Sequence, residues 1–289
     1  MTLKLKITSL TLLFSAFIFA QDLENSLLWE ISNPENNQTS YLYGTMHLGC
    51  NVELSDEIKN VFQEVDLLLL EIDITNPNMA SEIKNQMFMK DGKTLLDLIS
   101  EEEYYILSNY VNPRLAPQGI NLEVMKNVKP VLLSTMLMQN LIECESKGSF
   151  DMELARLAQE IGIEIQGLET IERQMKVFEQ IPEEQQIEML LKSAREDGVS
   201  DKEQLNAMMD AYRSNDLNTL QMLAKEDQGM FIEFEDELIT KRNMSWIPLL
   251  KKYITGYQVM IGVGALHLVG EQGVINLLRE EGFEVKPVR

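Results

Sequence analysis

Histidine is almost missing from this chain: its 289 residues carry two. A zinc site of three histidines is therefore excluded, and the His-Glu-x-x-His phrase of zinc peptidases is absent. Gly-x-Ser-x-Gly is absent as well, which removes the usual serine-hydrolase elbow. Gly262-Val263-Gly264-Ala265-Leu266 begins like a dinucleotide fingerprint, but His267 stands where its third small residue belongs. Basic residues are scarce, 25 Lys and Arg against 46 Asp and Glu, for a net charge of −21. Such a surface repels nucleic acid and anionic lipid. No basic stripe with interleaved aromatics relieves it, so a nucleic-acid role is excluded. Long apolar runs are lacking too. The one near the start, Ile7 to Phe19, falls well short of the ~20 residues a membrane-spanning helix needs.

That short run follows a basic start containing Lys4 and Lys6, and it closes on Ile18-Phe19-Ala20 before Gln21. This is the arrangement of a secretory signal over residues 1–20; an uncleaved anchor helix is the competing reading. Cleavage removes two lysines and no acid, taking the net charge from −21 to −23. No cysteine lies near Gln21, so neither a lipid anchor nor a stable membrane anchor is expected on the mature chain, which would be periplasmic or secreted. Only Cys50 and Cys144 are present. In an exported protein an even pair reads first as one disulfide. An idle buried pair is the alternative, and so is thiolate ligation, because Cys50 lies three residues after His47. A bridge would pin the His47 loop to the helical middle of the chain.

The order of elements follows from apolar spacing. Ser26 to Ile31 reads as an edge strand, returned by the turn-rich Asn33-Pro34-Glu35-Asn36-Asn37 into a strand at Ser40 to Tyr43. Ser55 caps a helix with Ile58, Val61, Phe62 and Val65 on one face, and Asp66 to Asp73 is a buried strand ending in carboxylates. The far end repeats this order: strand Tyr257 to Val263, loop Gly264 to His267, a helix after Gly273, and strand Phe283 to Val288. The expected fold is α/β (α+β). A central mixed sheet is built from two related β-loop-α-β units at the N- and C-terminal ends, with a long helical insert between them. In one domain, 21–289, the core takes 26–77, 163–170 and 256–289, and the insert takes 78–162 and 171–255. Capping boxes at Ser100 and Ser200 and a first-turn proline at Pro182 mark helix starts there. The insert is rich in methionine (Met136, Met138, Met189 and Met209 among others). That reads as core, or as an adaptable apolar groove for an extended substrate.

Both histidines occupy one phrase, Gly44-Thr45-Met46-His47-Leu48 and Gly264-Ala265-Leu266-His267-Leu268, each just after a strand. Imidazole is the commonest ligand for transition metals. Ligands gather outside the carboxyl ends of parallel strands where connections diverge. Glu71 and Glu169 end other strands and belong to the same rim. Two imidazoles with one or two carboxylates form a divalent-cation site with positions left for water, with a carboxylate available to take a proton. Glycine here would let the chain turn tightly and bring each imidazole inward. Arg242, with Asn243 beside it, supplies a guanidinium for a carboxylate or oxyanion. The competing reading for the arginine is a helix surface, and for the acids ordinary capping and ion pairing.

Six phrases in order carry a resemblance: Tyr43 to Leu48; Leu70-Glu71-Ile72-Asp73; Ser149-Phe150-Asp151; Gly167-Leu168-Glu169-Thr170; Arg242-Asn243; and Gly264 to Gly270 with its Gly282-Phe283-Glu284-Val285 ending. The chain resembles the TraB/PrgY/GumN family, whose animal relatives include the Tiki metalloproteases. The resemblance implies an α/β core and divalent-metal-dependent peptide hydrolysis, with Mn, Co or Zn as the cation. Carried over, His47, His267 and Glu71 hold the metal, and Glu71 and Arg242 serve catalysis. Gly44, Thr45, Gly264, Glu169, Asn243 and Asp151 support them or contact a peptide or small-molecule substrate. The alternative is a protein that sequesters a peptide, haem or a metal without turnover. Neither the substrate nor the oligomeric state is legible in the sequence.

Overall fold

The computed structural model describes residues 24–34, 38–226 and 230–288. The expected signal at 1–20 and most of the first turn, 35–37, lie outside the described residues. Eight strands are found among them: β1 (Leu28–Ser32), β2 (Thr39–Thr45), β3 (Gly49–Cys50), β4 (Leu67–Leu70), β5 (Lys147–Gly148), β6 (Glu164–Gly167), β7 (Val259–Gly264) and β8 (Glu284–Pro287). Six form the main sheet in the order β6-β4-β7-β2-β1-β8. β6, β4, β7 and β2 run parallel, while β1 is antiparallel to both β2 and β8. The α/β class with a mixed sheet and a helical region between its terminal strands is as the sequence reading has it.

The continuous apolar run Leu67 to Leu70 is buried throughout, as a parallel strand covered on both faces requires. Register then lines up the strand ends. Leu70 pairs with Gly167 on one side and Gly262 on the other, and Thr45 pairs with Gly264. The residues after these strands therefore emerge along one rim. From the adjacent pair β2 and β7 the connections part, β2 leading across β7 to β4 and β7 leading the other way to β8. A ligand crevice belongs at such a divergence.

Several local expectations change. β1 is an internal strand, because β8 pairs with its outer side. Its alternation of buried and half-buried positions mimics an edge, since the sequence gives no sign that the last strand returns there. Ser200 is not a cap: the helix Val199–Arg213 starts from Gly198 in the left-handed region, with φ of 70°. Pro182 is the residue before the helix Glu183–Arg195, one position earlier than expected. Ser55 and Ser100 do cap their helices, and Ser100 with Glu103 forms the full box.

The sulfurs of Cys50 and Cys144 are bonded, which sets aside the idle and thiolate readings. Beside the bridge, β3 and β5 form a two-stranded ladder that the sequence reading did not contain. Asn51 N–H donates to Ser146 O at 2.8 Å, and Phe150 N–H donates to Met46 O at 3.1 Å. Together these bonds clamp the His47 loop to the start of the helix Phe150–Ile161. The helical region has its own apolar core around Leu107, Val111, Leu133 and Leu190. Its methionines divide: Met125, Met175 and Met209 are buried, while Met138 and Met152 are exposed.

Candidate metal centre

His47 and His267 come from loops more than 200 residues apart, yet both Nε2 atoms lie 3.7 Å from Oε1 of Glu71. β4 ends at Leu70, so Glu71 leaves the sheet level with both loops, and it is buried. Its Oε1 accepts the Gly264 N–H at 2.8 Å. Its Oε2 accepts from Arg242 Nη2 and, at 3.2 Å, from Gln174 Nε2.

Each imidazole is oriented from behind. Nδ1 of His47 donates to Asp151 Oδ2 at 2.8 Å, and Asp151 also accepts from Thr45 Oγ1 and Ser149 Oγ. Nδ2 of Asn243 donates to the carbonyls of His267 and Gln272, so its Oδ1 faces His267 Nδ1 at 2.6 Å. Nδ1 of His267 therefore carries the proton and Nε2 carries the lone pair. The helix Lys241–Gly256 supplies this support from one buried stripe, Arg242, Asn243 and Trp246, continued by Leu250 and Ile254. The Trp246 ring lies 4.6 Å from the His267 ring.

Arg242 is not a surface arginine. It is buried, and it donates to Glu169 Oε1 through Nε at 3.0 Å and Nη2 at 2.6 Å. Its Nη1 donates to Leu238 O and lies 3.0 Å from His267 Nε2. Glu169 thus serves the arginine and does not reach the histidines. Its Oε2 is buried with no hydrogen-bond partner, and Arg173 Nε stands 3.8 Å away. Burial raises the Glu169 carboxyl, against the pull of Arg242.

The two rings differ electrostatically. The His47 ring is 61% exposed. What burial it has lowers its pKa, but the hydrogen bond and charge of Asp151, with the charge of Glu71, raise it to about 9. His267 is enclosed, and burial, helped by Arg242, lowers it to about 3. Burial alone would raise the Glu71 carboxyl. The charges of the two histidines and Arg242, with the Gly264 N–H, hold it well below the usual range. That direction stands with His267 neutral, because His47, Arg242 and the Gly264 N–H remain.

The donor set suits a divalent cation. It offers two imidazole nitrogens with their other nitrogens fixed by oxygen partners, as metal-binding histidines have, and one ionised carboxylate. A Cβ on Gly264 would sit 3.2 Å from Glu71 Oε1, 3.5 Å from His267 Cδ2 and 3.8 Å from His47 Nε2. Glycine keeps the space among these donors clear. Among the described residues, no group of three or more His, Cys, Asp or Glu is arranged so that it could hold a metal ion. At 3.7 Å from both nitrogens, Glu71 gives a set that has converged without closing, with Arg242 hydrogen-bonded to the nitrogen that His267 would offer.

Neither motif glycine serves tight turning. Gly264 has φ of −50°, and Gly44 is not among the positive-φ residues. A Cβ on Gly44 would lie 3.1 Å from Ala265 Cα, so this glycine lets the two loops touch. Gln174, Ser149 and Tyr212, whose hydroxyl donates to Gly44 O at 2.8 Å, were missed by the sequence reading. Gln174 and Tyr212 belong to no motif and reach the site from over a hundred residues away. Ser149 stood inside the quoted Ser149-Phe150-Asp151 phrase, and that was its only signal.

A family model described as the TraB/PrgY/gumN family matches residues 27–287. The chain is similar to metalloprotease TIKI1 of Danio rerio, 25% identical over 91% of this chain and 63% of that protein. It is also similar to metalloprotease TIKI2 of Danio rerio, 23% identical over 91% of this chain and 61% of that protein. Metalloprotease TIKI2 of Xenopus tropicalis is 23% identical over 91% and 60%. The chain spans about three fifths of the length of these curated relatives. No solved structure matches it.

Proposed function

Because this chain belongs to the TraB/PrgY/gumN family, we propose that it is an exported, divalent-metal-dependent hydrolase that cleaves peptides. One observation carries the reading: both Gly-x-x-His imidazoles aim Nε2 at the same Glu71 oxygen. His47, His267 and Glu71 would hold the cation. A bound divalent cation supplies Lewis acidity, activating water near neutral pH and polarising a carbonyl. Asp151 and Asn243 hold both Nε2 atoms toward that place; His267 presents a lone pair there, and His47 would release its Nε2 proton on binding. Glu71, ionised and buried, is the group positioned to accept a proton from an attacking water, and Arg242 is positioned to receive negative charge on a carbonyl oxygen. The similar proteins are named metalloproteases, which supports metal-dependent hydrolysis. The Cys50–Cys144 bridge supports an oxidising compartment such as the periplasm or the extracellular space. No helix among the described residues is long and apolar enough to cross a membrane.

The test is cleavage of a peptide library by purified protein without a histidine tag, before and after chelation and after return of Mn, Co or Zn. Chelation and His47→Ala are each expected to lower turnover by at least ~10²-fold. Cleavage that survives both sinks the proposal. A second reading, sequestration without turnover, draws on the hydrogen bond between Arg242 and His267 Nε2. It predicts stoichiometric peptide, haem or metal binding, without product, and haem would show as a Soret band.

A further inference from the structure

A cavity of about 550 Å³ opens in the helical region beside the rim. The helices Pro130–Leu141, Glu183–Arg195 and Val199–Arg213 and the π-turn Asp236–Thr240 surround it. Its apolar surface comes from Leu137, Met138, Met189, Phe234 and Leu238. Acids crowd its lining: Glu188, Glu196, Asp201 and Glu233, against Lys192 and Arg195. Arg195 is already paired with Glu103 at 3.0 Å. Gln185 also lines the cavity, and its Nε2 donates to Glu233 at 2.9 Å. Its Oε1 is buried without a partner, and a lone buried acceptor is costly until a donor reaches it.

The π-turn joins this cavity to the metal centre. Phe234, at φ −117° and ψ 16°, breaks the helix just before it. π-Turns re-aim backbone groups and occur often at functional sites. Here Leu238 lines the cavity while its carbonyl accepts from Arg242 Nη1 at 3.0 Å.

We propose that the cavity receives an extended peptide segment whose apolar side chain is flanked by lysine or arginine, leading toward Arg242 and the histidine pair. The volume falls within the range of ordinary ligand pockets. Methionines adapt to varied apolar side chains, the unpaired acids select cationic flanks, and Gln185 Oε1 accepts a peptide N–H. Cleavage of the bound segment rests on the peptidase reading, whereas binding is independent of it.

Fluorescence polarisation on the full chain carrying His47→Ala and His267→Ala tests it. The probes are dye-labelled Lys-Leu-Phe-Lys, Glu-Leu-Phe-Glu and Lys-Gly-Ser-Lys. The first is expected to bind about tenfold or more tightly than the others. Glu188→Lys with Glu196→Lys should invert the preference between the first two, and Met138→Asp should weaken the first. Glu188, Glu196 and Met138 are all exposed, and thermal melts check that each variant folds. Equal binding of the three probes, or a ranking unmoved by the charge reversals, overturns the proposal. The expected ranking without cleavage by the unaltered protein keeps the groove and defeats the peptidase reading. Cleavage without the ranking does the opposite.

Discussion

At single residues, the proposed metal centre gives the two motif glycines different parts, Gly264 in ion affinity and Gly44 in stability. Gly264→Ala places a methyl group among the three donors, so calorimetry should find metal affinity lowered by at least ~10-fold with little change in Tm. Gly44→Ala presses on the Ala265 backbone and should cost about 1–3 kcal/mol of stability in urea melts. Equal effects on affinity would contradict this division. The histidines set the pH response of the metal-free protein. His47 is raised from 6.5 to about 9, so its contribution is complete below pH 6.5 and is lost as pH rises through 9. His267 is lowered to about 3, so the unfolded chain binds a proton that the folded ring refuses. Stability from that residue therefore falls as pH drops from 6.5 toward 3. Circular-dichroism melts from pH 5 to 10 should show Asp151→Asn flattening the alkaline arm only. An unchanged alkaline arm would refute the role given to Asp151.

At the scale of elements, the clamp around Cys50 links folding to the site. The bridge closes a span of 94 residues, for which chain entropy gives roughly 4.7 kcal/mol. Cys50→Ser with Cys144→Ser should lower denaturant stability by about that amount. It should also loosen the His47 loop, weakening metal binding more than Gly44→Ala does; titration of both variants with Mn or Zn checks this. Much of this level was legible beforehand. The leucine run of β4, the repeated Gly-x-x-His phrases and the caps at Ser55 and Ser100 are signals contained in a few neighbouring residues. The β3–β5 ladder was not legible, because two-residue strands have no periodicity. The internal position of β1 and the burial of Arg242 were hidden for another reason: both depend on partners distant along the chain. Arg242 read equally well as a helix-surface residue until Glu71 and Glu169 were seen around it.

For the whole molecule, the sheet is finished from its far end. β7 lies between β2 and β4, so without residues 259–264 the sheet splits, β6 and β4 on one side of the gap and β2 and β1 on the other. A chain ended at Gly256 should therefore show no cooperative melt and no metal binding. A separate peptide covering 257–289, added to it, should restore some of both. Cooperative unfolding of the shortened chain by itself would show that the helical region and the N-terminal strands form a self-sufficient unit.

The insertion of β7 into the middle of the sheet also imposes a schedule. A polypeptide made from its N-terminus holds a gap between β2 and β4 until residues 259–264 have emerged, and pairings of such long separation are slow to form. The proposed site, with His267 as its final component, is therefore withheld during synthesis until residues 259–267 have been made. On the proposed peptidase reading, assembly in this order would spare the compartment in which the chain is made.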